Sequence, residues 1–230
     1  MTSEKAEQPE QQKKTIFERI KADHIDALQE MGNIGSGHAA NALAEMLNRR
    51  VDLSLPRFQI LTTQQLSQVR WQGHSPAQHF AVVLVRTQGT KNFDILVVFD
   101  VRTTRELIGL IRTDSELNEE FDLTKLNSFD QSAIREVGNI LALHYLTAVS
   151  EFLGGSFTTA FPSSPVLMVE ASETILATIA AEFMHDFSHV MTVECDIQTS
   201  NKHLSPLVIL IPEEAALESS LELLFGESTE

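Results

Sequence analysis

Cysteine and basic side chains are both scarce in this sequence. The 230 residues include one cysteine, Cys195, which excludes a disulfide scaffold and a four-cysteine zinc site. Lys and Arg number 17 against 32 Asp and Glu, so the formal net charge at pH 7 is −15. Nucleic-acid binding requires a basic surface that neutralises phosphates, and the composition therefore excludes that class of function.

Long apolar runs are absent as well. No stretch approaches the ~18 consecutive apolar residues of a membrane-spanning helix. The N-terminus, MTSEKAEQPEQQKK, lacks the apolar segment of a secretory signal. These absences predict a cytoplasmic protein that does not insert into a membrane. The hydrophobic content of 43% is sufficient for a folded core.

The order of the predicted elements indicates an α+β protein. Apolar periodicity of the helical kind alternates with short runs rich in β-branched and aromatic residues. Helices are predicted at 17–48, 103–111, 129–153 and after Pro212, and strands at 80–86, 93–99, 165–169, 175–183, 189–195 and 206–211. The strands at 80–86 and 93–99 are predicted to form a hairpin.

The sequence repeats itself at a spacing of 106 residues. The segment EMGNI at 30–34 recurs as EVGNI at 136–140, and His38 recurs as His144. Because polar residues match, the similarity indicates a duplication rather than two unrelated amphipathic helices. We predict one pseudo-symmetric domain with flanking segments. Its boundaries are a disordered tail at 1–14, a domain at 15–212 with halves at about 15–112 and 122–212, and a C-terminal helix and tail at 213–230.

Each long helix is predicted to carry a carboxylate and a carboxamide on one exposed stripe. At 100° per residue, three polar side chains of each helix fall within about 60° of one another, opposite the apolar face. They are Asp26, Glu30 and Asn33 on the first helix and Ser132, Glu136 and Asn139 on the second. A carboxylate can pair with lysine or arginine, and a carboxamide can orient a water molecule. The ordinary alternative is a solvated helix surface without function, and the recurrence at 106 residues argues against it.

The two stripes resemble the signature of the chemotaxis phosphatases CheC, CheX and FliY. The pattern [DS]-x3-E-x2-N-x22-P is matched first by Asp26, Glu30, Asn33 and Pro56, and again by Ser132, Glu136, Asn139 and Pro162. Two intact copies resemble CheC or the phosphatase part of FliY more than CheX, which carries one. The chain ends at Glu230, without room for the FliN-type domain of FliY, so CheC is the nearer match.

The resemblance implies a duplicated CheC-like fold with long exposed helices on an antiparallel sheet. It also implies hydrolysis of the phospho-aspartate of a CheY-like response regulator. Glu30 and Glu136 would pair with the active-site lysine of the regulator, while Asn33 and Asn139 would orient the attacking water. The implied supporting residues are Asp26, Ser132, Pro56 and Pro162. The chain would need no cofactor of its own, because Mg²⁺ would be bound by the regulator.

A different class of function stays open at this point. A non-catalytic binding module could sequester a response regulator or a CheD-like deamidase in chemotaxis adaptation. A flagellar-switch component is a third possibility, which the missing FliN-type domain disfavours.

Two further features of the helices are given structural roles. The glycines of GNIGSGH at 32–38 lack the Gly-Lys-Ser/Thr ending of a phosphate loop, so we expect them to permit close packing or the approach of a partner. His38 and His144 lie outside the Asn stripes, and we expect them at the border of the interior with a structural hydrogen bond.

Overall fold

The computed structural model describes residues 22–54, 57–62, 64–66, 75–88, 93–112, 121–152, 161–183 and 189–212. The predicted tail at 1–14 and the predicted C-terminal helix at 213–230 lie outside these ranges. The proposed domain boundaries therefore stay predictions.

An antiparallel sheet forms the centre of the fold. In chain order the strands are β1 (Asp52–Leu53), β2 (Arg57–Thr62), β3 (His79–Gln88), β4 (Phe93–Phe99), β5 (Phe161–Pro162), β6 (Val166–Ala171), β7 (His189–Glu194), β8 (Ile197–Gln198), β9 (His203–Leu204) and β10 (Leu207–Pro212). Six of them pair in the order β2-β7-β10-β4-β3-β6, and β5 joins β3 beside β6. The predicted hairpin is confirmed as β3 and β4, which pair from Ala81↔Phe99 to Arg86↔Asp94. The short strands β1, β8 and β9 form a second, three-stranded sheet.

The strand order is consistent with the duplication predicted from the sequence. In each half, a long helix precedes three of the six central strands. The strands β2, β3 and β4 of the first half correspond to β6, β7 and β10 of the second. When each strand is replaced by its counterpart and the sheet is read from the opposite edge, the order β2-β7-β10-β4-β3-β6 is recovered. The pairing of β4 with β10 stands at the middle of this arrangement.

Helices cover both faces of the sheet. The long helices α1 (Ala22–Leu47) and α3 (Ser128–Phe152) and the shorter α2 (Val101–Ile111) pack on one face, and α4 (Ser172–Phe183) packs on the other. Side chains alternate along each strand, so Ala81 and Val83 of β3 face α1 and α3 while Phe80 and Val82 face α4. Two separate hydrophobic clusters result, one on each side of the sheet.

One predicted strand is wrong, because residues 175–183 belong to α4. The sequence SETILATIAAEF contains three alanines and two glutamates, which favour a helix, together with β-branched residues that favour a strand. Packing decides between them: Ile175 and Ile179, four residues apart, are both buried against the sheet. The Ser172 hydroxyl at the start of the helix donates to the Pro76 carbonyl at 2.9 Å.

The end of α1 and the start of α3 each have an identifiable cap. Asn48 adopts a left-handed conformation with φ of 48°, and the N–H of Arg49 donates to the Ala44 carbonyl, as in a Schellman motif. At the start of α3, the Asn127 side chain accepts the N–H of Asp130 at 2.9 Å. These caps fix the ends of the helices that carry the predicted stripes.

Within the described ranges, none of the helices combines the length and the apolar character needed to cross a membrane.

Candidate functional site

The structure places the first predicted stripe on the outer face of α1. Asp26 and Glu30 are exposed, and Asn33 is half-buried. On the opposite side of the helix, Ala39 and Leu43 are buried in the cluster shared with the sheet. The exposed Asp26 and Glu30 and the buried Ala39 agree with the angular prediction, and Asn33 lies at the edge of the exposed surface.

The second predicted stripe has the same placement on α3. Ser132 and Glu136 are exposed, and Asn139 is half-buried. The apolar residues predicted for the opposite face, Ile134 and Val137 among them, are buried. Because both helices cover the same face of the sheet, both stripes face away from it on the same side of the molecule.

The structure locates one of the two signature prolines. Pro56 lies outside the described residues. Pro162 is exposed in β5, where it pairs with Thr87 of β3. A role for either proline in the site stays a prediction.

A hydrogen bond links the two functional groups of the α1 stripe. The Asn33 amide nitrogen Nδ2 donates to Glu30 Oε2 across 3.4 Å, near the outer limit for such a bond. The Asn33 carbonyl oxygen Oδ1 is buried and has no hydrogen-bond partner within the described part of the chain. The described structure contains no corresponding hydrogen bond between Glu136 and Asn139. The Glu/Asn pair is therefore hydrogen-bonded on α1 and, within the described residues, not hydrogen-bonded on α3.

Beneath the α1 stripe, a buried polar chain joins three elements. The hydroxyls of Ser36 and Tyr145 lie 2.9 Å apart, which connects α1 to α3. The Cys195 thiol, just after β7, donates to the Tyr145 hydroxyl at 3.1 Å. Burial and the neighbouring Cys195 raise the pKa of Tyr145, so its hydroxyl stays protonated.

The sequence interpretation missed this polar chain. The single tyrosine of the chain falls on the apolar face of α3, and a buried tyrosine hydroxyl needs a partner. A tyrosine on the apolar face of a helix therefore predicts a buried hydrogen bond. The identity of the partners depends on contacts between residues 109 and 50 positions apart in sequence.

Glycines allow the two long helices to pack closely. A Cβ on Gly35 would lie 2.9 Å from the Ala148 Cβ, so α1 approaches α3 at this point. A Cβ on Gly138 would lie 2.5 Å from the Val83 Cβ, so α3 rests directly on β3. No atom lies within 4 Å of the corresponding position on Gly37, which is exposed. The GNIGSGH segment therefore serves packing at Gly35 and leaves open surface at Gly37.

His38 and His144 meet where α1 and α3 cross. Their ring centroids are 6.1 Å apart in an edge-to-face arrangement. His144 is half-buried, as expected, but His38 is exposed, and neither ring has a hydrogen-bond partner among the described residues. Burial and the proximity of His38 lower the pKa of His144. Since each histidine follows its Asn by five residues, about 7.5 Å along the helix, the pair separates the two stripes.

The arrangement offers docking and positioning groups. Glu30 and Glu136 are exposed carboxylates that can pair with a basic side chain of a partner, and each has a carboxamide one turn away. Among the described residues, no three histidine, cysteine, aspartate or glutamate side chains lie together in a way that could hold a metal ion. Two Glu/Asn pairs on one side of the molecule, each with an exposed carboxylate, are suited to a partner protein.

Comparisons with known proteins agree with this arrangement. Residues 24–60, which include the whole first signature, match the CheC-like family. The chain is 29% identical over 212 residues to the CheY-P phosphatase CheC of Bacillus subtilis (strain 168). The alignment covers 89% of this chain and 95% of the Bacillus protein. The resemblance to CheC-like proteins is confirmed.

Solved structures share the CheC-like fold. FliY of Thermotoga maritima superposes with a TM-score of 0.65 at 18% identity, covering 91% of this chain and 99% of that one. The FliM middle domain of H. pylori superposes with a TM-score of 0.57 at 12% identity, covering 88% and 99%. At these identities the superpositions establish the fold, and the predicted α+β class is correct.

Proposed function

We propose that this CheC-like protein is a phosphatase that hydrolyses the phospho-aspartate of a CheY-like response regulator. The observation that carries the proposal is the doubled Glu/Asn stripe, present on exposed faces of both α1 and α3. The similarity to a CheY-P phosphatase over 89% of the chain supports it.

In the proposed reaction, water attacks phosphorus in line with the bond to the aspartate oxygen. That bond breaks, the aspartate leaves as a carboxylate, and inorganic phosphate is released after the water loses a proton. Catalysis of phosphoryl transfer rests mainly on positioning and electrostatics. A carboxamide that orients the water can therefore accelerate hydrolysis without a covalent intermediate on this protein. Asn33 and Asn139 would have this role, and the regulator would supply Mg²⁺.

Glu30 would change partners when the regulator docks. In the free protein it accepts the long hydrogen bond from Asn33. A lysine of the regulator would form a charge-assisted bond with the carboxylate, which is the stronger interaction. Transfer of Glu30 to the lysine would release the Asn33 amide and allow it to turn toward the water.

A binding module without hydrolysis is the second candidate. The buried, unpartnered Asn33 Oδ1 favours it, since a carbonyl turned away from solvent does not hold a water in the free protein. A response regulator or a CheD-like deamidase would then be sequestered through the same exposed helix faces. Hydrolysis separates the two candidates, because binding alone releases no phosphate.

The test is phosphate release from a phosphorylated CheY-type receiver with and without this protein. The phosphatase account expects E30A/N33A to abolish the contribution of α1 and E136A/N139A that of α3. The combined variant should fall to the spontaneous rate of the receiver, a loss of about tenfold or more. Wild-type protein that binds receivers without accelerating phosphate release would instead establish the binding module.

A matched control is available on the same two helices. Glu45 and Glu151 are exposed, stand 106 residues apart and lie outside the stripes. E45A/E151A removes the same charge as the paired Glu substitutions, and its activity should stay within about twofold of wild type because exposed charges away from a contact have small effects. An equal loss in this control would show that net charge, rather than the stripes, governs the reaction.

A further inference from the structure

We propose that Tyr145 is a positioning residue that serves the α1 stripe and not the α3 stripe, through its hydrogen bonds to Ser36 and Cys195. This inference rests on the proposed phosphatase function. Tyr145 lies below the surface and would touch neither the regulator nor the reacting atoms.

The geometry connects Tyr145 to Asn33 through one turn of helix. Ser36 is three residues after Asn33 on α1, so the two side chains are neighbours on that helix. The Ser36 hydroxyl is 2.9 Å from that of Tyr145, and both residues are buried. A hydrogen bond at this point joins α1 to α3 about one helical turn from the residue proposed to orient the water.

Cys195 anchors the other end of the same chain to the sheet. Its thiol donates to the Tyr145 hydroxyl at 3.1 Å, and its backbone N–H donates to the Pro206 carbonyl at the start of β10. Tyr145 therefore stands between a residue of α1 and a residue fixed to the central strands. Because a buried hydroxyl left without a partner is costly, the three groups hold one another in register.

Within the described residues, the α3 stripe lacks an equivalent support. The position 106 residues after Ser36 is Ala142, and the position 106 residues before Tyr145 is Ala39. Both alanines are buried and neither has a side chain able to form a hydrogen bond. The duplication thus preserved the surface pairs and placed the polar chain beneath the α1 pair alone.

The experiment compares Y145F in two backgrounds. In E136A/N139A only the α1 stripe remains, and we expect Y145F to lower kcat for receiver dephosphorylation about three- to tenfold, the factor that loss of the hydrogen bond between Tyr145 and Ser36 produces, with KM unchanged. In E30A/N33A only the α3 stripe remains, and Y145F should leave the rate unchanged. Equal losses in both backgrounds, or a loss in neither, would overturn the proposal.

Two controls exclude a general loss of structure. Ser150 of α3 is buried and its Oγ has no partner among the described residues, so S150A removes a buried hydroxyl without breaking this chain and should leave both backgrounds unchanged. The double variant S36A/Y145F should lose no more activity than Y145F in the α1-only background, because both substitutions break the same bond. Additive losses would contradict a shared positioning role.

A measurement without the receiver keeps this inference separate from the proposed function. The side-chain amide signals of Asn33 and Asn139 can be assigned by NMR in the free protein. Y145F should shift the Asn33 signals and leave those of Asn139 in place. If the Asn33 amide signals do not shift in Y145F, the positioning role is overturned even if the protein is a phosphatase. If the wild-type protein does not accelerate phosphate release, the proposed phosphatase function is overturned, and the NMR result still tests the positioning role.

Discussion

The stripes on α1 and α3 carry the same Glu/Asn pair and have different contacts beneath it. Glu30 and Glu136 are both exposed, and Asn33 and Asn139 are both half-buried. Below the α1 stripe lie the polar chain of Ser36, Tyr145 and Cys195 and the contact of Gly35 with Ala148. Below the α3 stripe, α3 rests on β3 at Gly138. The two helices therefore share their surface chemistry and differ in the contacts beneath it.

The largest expected effect comes from the glycine under the α3 stripe. A Cβ at Gly138 would lie 2.5 Å from the Cβ of Val83, a residue in the middle of the sheet that has no room to retreat. G138A should therefore lower the free energy of unfolding by about 3 kcal/mol, since overpacking outweighs the better helix propensity of alanine. Denaturant unfolding measures the change.

The matched control is the same substitution on the other helix. Gly37 is exposed and has open space at its Cβ position, so G37A should raise the free energy of unfolding by about 0.5–1 kcal/mol. Changes in the free energy of unfolding of the same sign for G138A and G37A would refute the packing difference between these two glycines. A fall in dephosphorylation by G37A, despite higher stability, would assign Gly37 to the approach of the partner.

The next effect concerns the start of α3. Arg112, at the end of α2, forms a two-point ion pair with the buried Asp130 in the first turn of α3, with Nε 2.9 Å from Oδ1. D130N should lower the free energy of unfolding by about 2 kcal/mol, because it leaves a half-buried guanidinium without its carboxylate. Thermal unfolding at fixed pH measures the loss, and D122N on the exposed surface is the comparison. No difference between D130N and D122N would show that this ion pair does not hold α3 in place.

The smallest effect lies at the crossing of the two helices. Burial, with a contribution from His38, lowers the pKa of His144, so the unfolded chain takes up a proton at higher pH than the folded one. Stability is therefore unaffected above the ordinary histidine pKa of about 6.5 and falls as the pH drops below it. H144Q should reduce the loss of stability between pH 7.5 and 5.5 by less than about 0.5 kcal/mol, given solvent screening. A larger pH dependence in H144Q than in wild type would contradict the assignment.

The sequence predicted those parts of the fold that depend on local periodicity. Short runs rich in β-branched and aromatic residues identified β3 and β4, and the 3.6-residue period located both exposed stripes without knowledge of the sheet. Residues 175–183 were misassigned because a short apolar run supports either a helix or a strand, and burial of Ile175 and Ile179 against the sheet decided for the helix.

Contacts between the halves could not be read from local patterns. Gly35 and Gly138 both permit a close approach, but Gly35 meets Ala148 of α3 whereas Gly138 meets Val83 of β3. The partners of Tyr145 come from α1 and from the end of β7, so neither helix sequence alone specifies them. The exposure of His38 was missed for the same reason, since the close crossing of α1 and α3 determines which histidine is covered.

The most direct test of the central claim removes both carboxamides while leaving both carboxylates. In N33A/N139A, phosphate release from the phosphorylated receiver and affinity for that receiver are measured on the same preparation. If the carboxamides orient the attacking water, release falls to the spontaneous rate of the receiver while affinity changes by less than about threefold, because Glu30 and Glu136 still bind. Release that continues at the wild-type rate would contradict the account.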